Sequence, residues 1–97
     1  MGRTDDAIAA YEKSIAINAS FANAYQNLGI AYFDKNLKAM AAECFYKAAL
    51  LFDKQGETKS ALNAYDALTL TESKELEKAL AEKLFPEQHK QKSEAKK

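Results

Sequence analysis

The stretch NAYQNLGIAYFDKN, residues 23–36, decides how this chain is read. Tyr25, Leu28 and Tyr32 recur at the spacing of one helix face. Gly29 interrupts that face, and a glycine inside a helix costs about 1 kcal/mol relative to alanine. A helix that accepts this cost needs a packing reason, and the expected one is a second helix crossing where Gly29 lies.

Moving outward from this segment, the periodicity predicts five helices. The first runs from about Asp5 to Ile17, with Thr4 as N-cap, Asp5 and Asp6 in the first turn, and Ala7, Ile8, Tyr11 and Ile15 on its apolar face. In the second, Ser20 is the expected cap and the stripe is Ala24, Tyr25, Leu28, Gly29, Tyr32 and Phe33. A third and longest stripe is Leu37, Ala41, Cys44, Phe45, Ala48, Ala49 and Phe52, closed by Gly56 as a left-handed stop. Thr58 is expected to cap a fourth helix that buries Ala61, Leu62, Tyr65 and Leu68. The fifth carries a narrow stripe, Leu76, Ala79, Leu80 and Leu84, and ends before Pro86. Residues 1–86 are therefore expected to form one all-α domain of antiparallel helix hairpins. Residues 87–97, with four lysines, two glutamates and no apolar periodicity, are expected to be an unstructured tail.

Composition narrows the function classes. Three glycines and one proline in 97 residues are too few for a turn-rich β fold. Fourteen basic and fourteen acidic side chains leave no net field to attract nucleic acid or an anionic membrane. There is no apolar run of membrane-spanning length and no signal-peptide pattern, so a cytoplasmic chain is expected. The single histidine, His89, has no partner at ligand spacing, and the single cysteine, Cys44, sits on an apolar helical face. No nucleophile with a base, no metal cage and no phosphate loop is legible. The expectation is a protein that is not an enzyme and needs no metal or cofactor.

At an offset of about 34 residues the first helix falls on the third. Ala7 meets Ala41, Ile8 meets Ala42, Tyr11 meets Phe45, Ser14 meets Ala48 and Ile17 meets Leu51. The complete copy reads Tyr25-x2-Leu28-Gly29-x2-Tyr32, then Ala41-x3-Phe45, then Ala48. This resembles the tetratricopeptide repeat over residues 22–55, with residues 2–19 similar to the second half of a preceding repeat. The proline that usually closes the repeat is replaced by Asp53, and by Ala19 in the half repeat. Beyond residue 53 two registers stay open: a full further period sets Leu62-Asn63 and Asp66 at the repeat positions, whereas Gly56, Ala61, Tyr65 and Leu68 locally fit the turn and second helix of a repeat.

The resemblance implies a stack of the right-handed α-solenoid kind, with Gly29 and Ala41 at the closest crossing of one hairpin. It implies a protein-binding scaffold whose first helices line a concave groove for a peptide or a partner helix. The groove residues it implies are Asn23, Gln26, Asn27, Ile30, Phe33 and Asp34, joined by Lys59, Asn63 and Asp66 if the fourth helix takes a first-helix role. Asn27 suits a peptide backbone because its amide donates and accepts at once. Gln26 and Ile30, neither of them basic, stand where carboxylate-binding relatives use lysine and arginine, so that specialisation is not implied. An adaptor within a larger repeat protein, a small chaperone for an exported or aggregation-prone client, and a self-assembling module all remain open. Only Met1, Gly2 and Arg3 precede the first helix, so Ile8, Tyr11 and Ile15 are expected to keep one side open and to support self-association.

Overall fold

A computed structural model describes residues 2–86. It contains α1 (Gly2–Ile17), α2 (Ala22–Asp34), α3 (Lys38–Lys54), α4 (Thr58–Thr69) and α5 (Lys74–Leu84), and no strand among the described residues. Each helix packs on the next, and α5 also lies across α3. The expected five-helix, all-α stack is what the chain adopts. Residues 87–97, including His89, lie outside the described residues.

Small side chains set the spacing of the helices. Ala22, Ala24, Ala31, Ala41, Ala42, Ala48, Ala49, Ala61 and Ala64 are all buried. Each adds little apolar area but lets backbones approach closely. Most of the hydrophobic driving force therefore falls on a few larger groups, namely Leu28, Tyr32, Phe45, Phe52, Leu68 and Leu80. Gly29 is the closest approach of all: a Cβ built there would come within 2.7 Å of Phe45 Cε1. The space next to Gly29 is thus filled by the Phe45 ring, while Ala41 is fully buried one turn away.

Three of the four connections share one device. Asn36 (φ 64°), Gly56 (φ 79°) and Glu72 (φ 60°) are left-handed, and each immediately precedes the residue that opens the next helix. After α2 the Leu37 amide donates to the Tyr32 carbonyl and the Asn36 amide to that of Phe33; after α3 the amides of Glu57 and Gly56 donate to the carbonyls of Phe52 and Asp53. Both are Schellman closures, which satisfy the orphan carbonyls at a helix end. The third differs, because α4 unwinds through i to i+3 bonds and the buried Thr71 hydroxyl donates to the Leu68 carbonyl at 2.7 Å.

The expected caps are not used. Thr4 lies inside α1, Ser20 precedes the opening residue Phe21, and Thr58 is already helical behind Glu57. Phe21, Leu37, Glu57 and Ser73 open their helices without a side-chain cap bond. In α2–α3 and α3–α4 the left-handed residue and the packing of the hairpin fix where the next helix begins, so no capping oxygen is needed.

Two stripes also differ from expectation. Leu37 is exposed, and on α4 the buried face is Ala61, Ala64 and Leu68, leaving Leu62 38% exposed. Counted from the helix start, Gly29 is the eighth residue of α2 and Tyr65 the eighth of α4. A tyrosine at that place cannot admit a crossing as close as that of α2 with α3. Its ring meets Phe85 edge to face with centroids 5.6 Å apart, and a cleft of about 390 Å3 opens between Tyr65 and the α5 residues Lys74, Glu77, Lys78 and Ala81.

Two alanine substitutions separate these effects. Gly29→Ala gains about 1 kcal/mol of helix propensity but overpacks Phe45 at a cost of about 1–3 kcal/mol, so a net loss is expected in chemical denaturation. Gly56→Ala meets nothing within 4 Å and should lose about 1–2 kcal/mol from the left-handed backbone alone. In a Phe45→Leu background the Gly29→Ala cost should shrink while the Gly56→Ala cost stays the same; equal behaviour of the two would contradict the Gly29–Phe45 contact.

Candidate functional site on α2 and its flanks

The residues exposed on α2 follow from its helical turn. Asn23, Asn27, Ile30 and Asp34 form one exposed ridge, with Ile30 46% exposed despite being fully apolar. Gln26 and Phe33 sit at the border of that ridge, half-buried, and Phe33 packs against the core. The Gln26 Oε1 atom is buried without a hydrogen-bond partner. On α4, Lys59, Asn63 and Asp66 are all exposed.

Three of these residues share a cleft. Asn27, Ile30 and Asp34 join Ala31 on α2 and Thr4, Ala7 and Tyr11 on α1 around a volume of about 230 Å3. Asn23, Gln26, Phe33, Lys59 and Asn63 do not line it. The sequence reading missed Thr4, Ala7 and Ala31 as cleft residues. The available signal was the repeat itself, since Ala7 and Tyr11 are the counterparts of Ala41 and Phe45.

Ile8, Tyr11 and Ile15, expected on an open side of α1, are half-buried and packed against the core cluster. A large apolar residue that α1 does display is Ile17, 81% exposed at the end of the helix. Across the helix ends, Lys35 pairs with Asp5, Lys38 with Glu72, and the Gln55 side chain donates to the Ser20 carbonyl at 3.1 Å. These exposed ion pairs contribute at most about 1 kcal/mol each, and their role is to register neighbouring helices.

A second cleft, about 290 Å3, lies where α1 faces α3 across α2, with Glu12, Ile15, Tyr25, Tyr32, Glu43 and Cys44 among its walls. The Tyr32 hydroxyl donates to Glu12 Oε2 at 3.1 Å, and Lys47 Nζ lies 5.8 Å from the centre of the Tyr25 ring. Burial, aided by the Glu12 hydrogen bond and charge, pushes the Tyr32 phenol up to about 12. Burial likewise pushes the Cys44 thiol up to about 11, although Lys47 pulls the other way. A thiol held neutral is a packing group, not a nucleophile. Among the described residues no group of three or more His, Cys, Asp and Glu side chains is placed to hold a metal, and no helix is long and apolar enough to cross a membrane.

Comparison with known families matches this arrangement. A model described as TPR repeat covers residues 1–36, and one described as tetratricopeptide repeat covers residues 22–51. No curated protein and no solved structure matches the chain.

The two raised pKa values make stability fall at alkaline pH. The unfolded thiol loses its proton near its usual 9.0, whereas the folded one holds it to about 11; the Tyr32 phenol behaves in the same way between 10.0 and about 12. The folded state therefore binds more protons, and its advantage declines as pH rises through that window. Melting temperatures measured from pH 8 upward, in about one-unit steps, should drop more steeply in the parent than in Cys44→Ala and Tyr32→Phe variants. Parallel curves would contradict the assignment.

Proposed function

The chain belongs to the tetratricopeptide repeat family, whose repeats mediate protein–protein interaction, and on that premise we propose that it is an interaction module that receives a peptide or helix of a partner protein on the exposed ridge of α2. The observation that carries the reading is the composition of that ridge. Asn23, Asn27 and Asp34 offer hydrogen-bonding side chains in line with a displayed Ile30, beside the cleft that α1 forms with α2. Amides that donate and accept suit a peptide backbone or its polar side chains, and an apolar anchor among them supplies the desolvated contact on which binding energy concentrates.

Other features support the same surface. Lys59, Asn63 and Asp66 add exposed polar side chains on α4, which packs on α3. The ridge carries no excess of basic side chains, so the segment it receives is not selected by a terminal carboxylate. The work proposed for the module is binding without catalysis, in the cytoplasm.

Co-purification of the tagged chain from its native host tests this, with the captured protein identified by mass spectrometry. Asn27→Ala should weaken capture severalfold, and Ile30→Glu should abolish it, because a buried unpaired carboxylate at the anchor is costly. Both variants should melt within about 1 °C of the parent, as exposed positions allow. A client captured equally by Ile30→Glu would remove the ridge from consideration.

A further inference from the structure

We propose that the cleft between α1 and α3, on the face of α2 opposite the exposed ridge, receives the guanidinium of an arginine side chain presented by a partner protein. This goes beyond the reading of the ridge and does not depend on it. Tyr25, Leu28 and Tyr32 line the cleft from α2, and at about 100° per residue they project away from Asn23, Asn27, Ile30 and Asp34. The walls come from α1 on one side and α3 on the other, so three helices of the described chain bound the space. Its volume, about 290 Å3, lies at the lower limit of small-molecule pockets, about 300–1,000 Å3. That suits one inserted side chain.

The chemistry of the walls specifies the side chain. Glu12 enters from α1 and Glu43 from α3, and neither takes part in the ion pairs of the described residues, Lys35 with Asp5 and Lys38 with Glu72. The Tyr32 hydroxyl donates to Glu12 Oε2 at 3.1 Å and so holds that carboxylate at the cleft without neutralising it. The Cys44 thiol, raised mainly by burial, is lowered by Lys47 and raised further by Glu43 and Glu12, which sets the three charges around one space. Two carboxylates against one ammonium leave it net negative. An independent observation points the same way: Lys47 Nζ lies 5.8 Å from the centre of the Tyr25 ring, so the chain's own nearby cation is already drawn to an aromatic face of the cleft. Met40, 45% exposed, adds a polarizable apolar edge. A guanidinium matches this set better than an ammonium, because it stacks flat on a ring, pairs with a carboxylate through two parallel hydrogen bonds and is more weakly hydrated. An anionic group would meet two like charges.

The test uses an N-acetylated, C-amidated peptide with a single arginine flanked by alanines, titrated into the isotope-labelled full chain at low ionic strength. Saturable chemical-shift changes are expected at the Met40 methyl, the Tyr25 and Tyr32 rings and the amides around Glu12 and Glu43, with a Kd in the millimolar range because one side chain carries the contact. The same peptide with citrulline keeps the shape and loses the charge, and should bind at least about tenfold more weakly. Glu12→Gln and Glu43→Gln should each weaken binding severalfold; at position 12, glutamine can still accept the Tyr32 hydrogen bond, so the loss reports the charge. Lys47→Gln should bind at least as tightly as the parent, because it removes the internal competitor for the ring. Asn27→Ala, on the opposite face of α2, should change nothing, which separates failure of this site from failure of the ridge. Absence of saturable shifts at tens of millimolar peptide, equal binding of the citrulline peptide, or unchanged binding in both glutamine variants overturns the proposal. Weaker binding in Lys47→Gln overturns it as well, since Lys47 would then be holding an anionic or carbonyl group.

Discussion

The contact between Gly29 and the ring of Phe45 is the constraint on which the stack depends. It draws α2 and α3 close enough for alanine to fill the rest of their interface, and alanine in turn leaves little room for rearrangement. With both backbones near each other, Ala22, Ala41, Ala48 and Ala49 are buried almost completely by neighbouring helices. A larger residue at Gly29 would separate the helices and open gaps along the whole hairpin, so the helix-propensity cost of one glycine is offset by close packing along it.

Where this constraint is absent the helices behave differently. In α4 the eighth residue is Tyr65, and the hairpin with α5 is splayed around it, with Phe85 turned against the ring and a cleft left between the helices. The C-terminal end is held instead by Leu68 and Leu80, the two largest side chains that are fully buried, and by α5 reaching across to α3. At the other end, Tyr11 holds on α1 the place that Phe45 holds on α3, and it lines the cleft between α1 and α2. One repeat pattern thus yields two local outcomes in α2–α3 and α4–α5: a closed hairpin and a splayed one.

The connections show how turns and packing divide the work. Left-handed residues at Asn36, Gly56 and Glu72 reverse the chain within a few residues, so successive helices must lie antiparallel and adjacent. Because the reversal itself sets the start of the following helix, an apolar residue such as Leu37 serves as the opening position. Only one of the three is glycine. Asparagine tolerates the left-handed region, and Glu72 accepts its cost in a turn that Thr71 also ties down by its bond to Leu68 and that Lys38 bridges from α3.

The sequence by itself determined the five helices, their order, the family and the pairing of α1 with α3, because periodicity, the glycine within a helix and the repeat offset are all local or self-referential signals. It also placed Asn23, Asn27, Ile30 and Asp34 on one face, since they follow from the turn of a single helix. What it left undecided depended on other helices. Leu62 and Ala64 compete for the inward face of α4, and only the position of α3 and α5 makes the smaller residue the buried one. Thr4, Ser20 and Thr58 have the chemistry of caps, but backbone reversal and packing started the helices elsewhere. The cleft joining Ala7 and Tyr11 to Ile30 exists only because two helices meet there. A residue's own preferences fix which face it shares, whereas burial is a property of what stands opposite, and that is decided by tertiary structure alone.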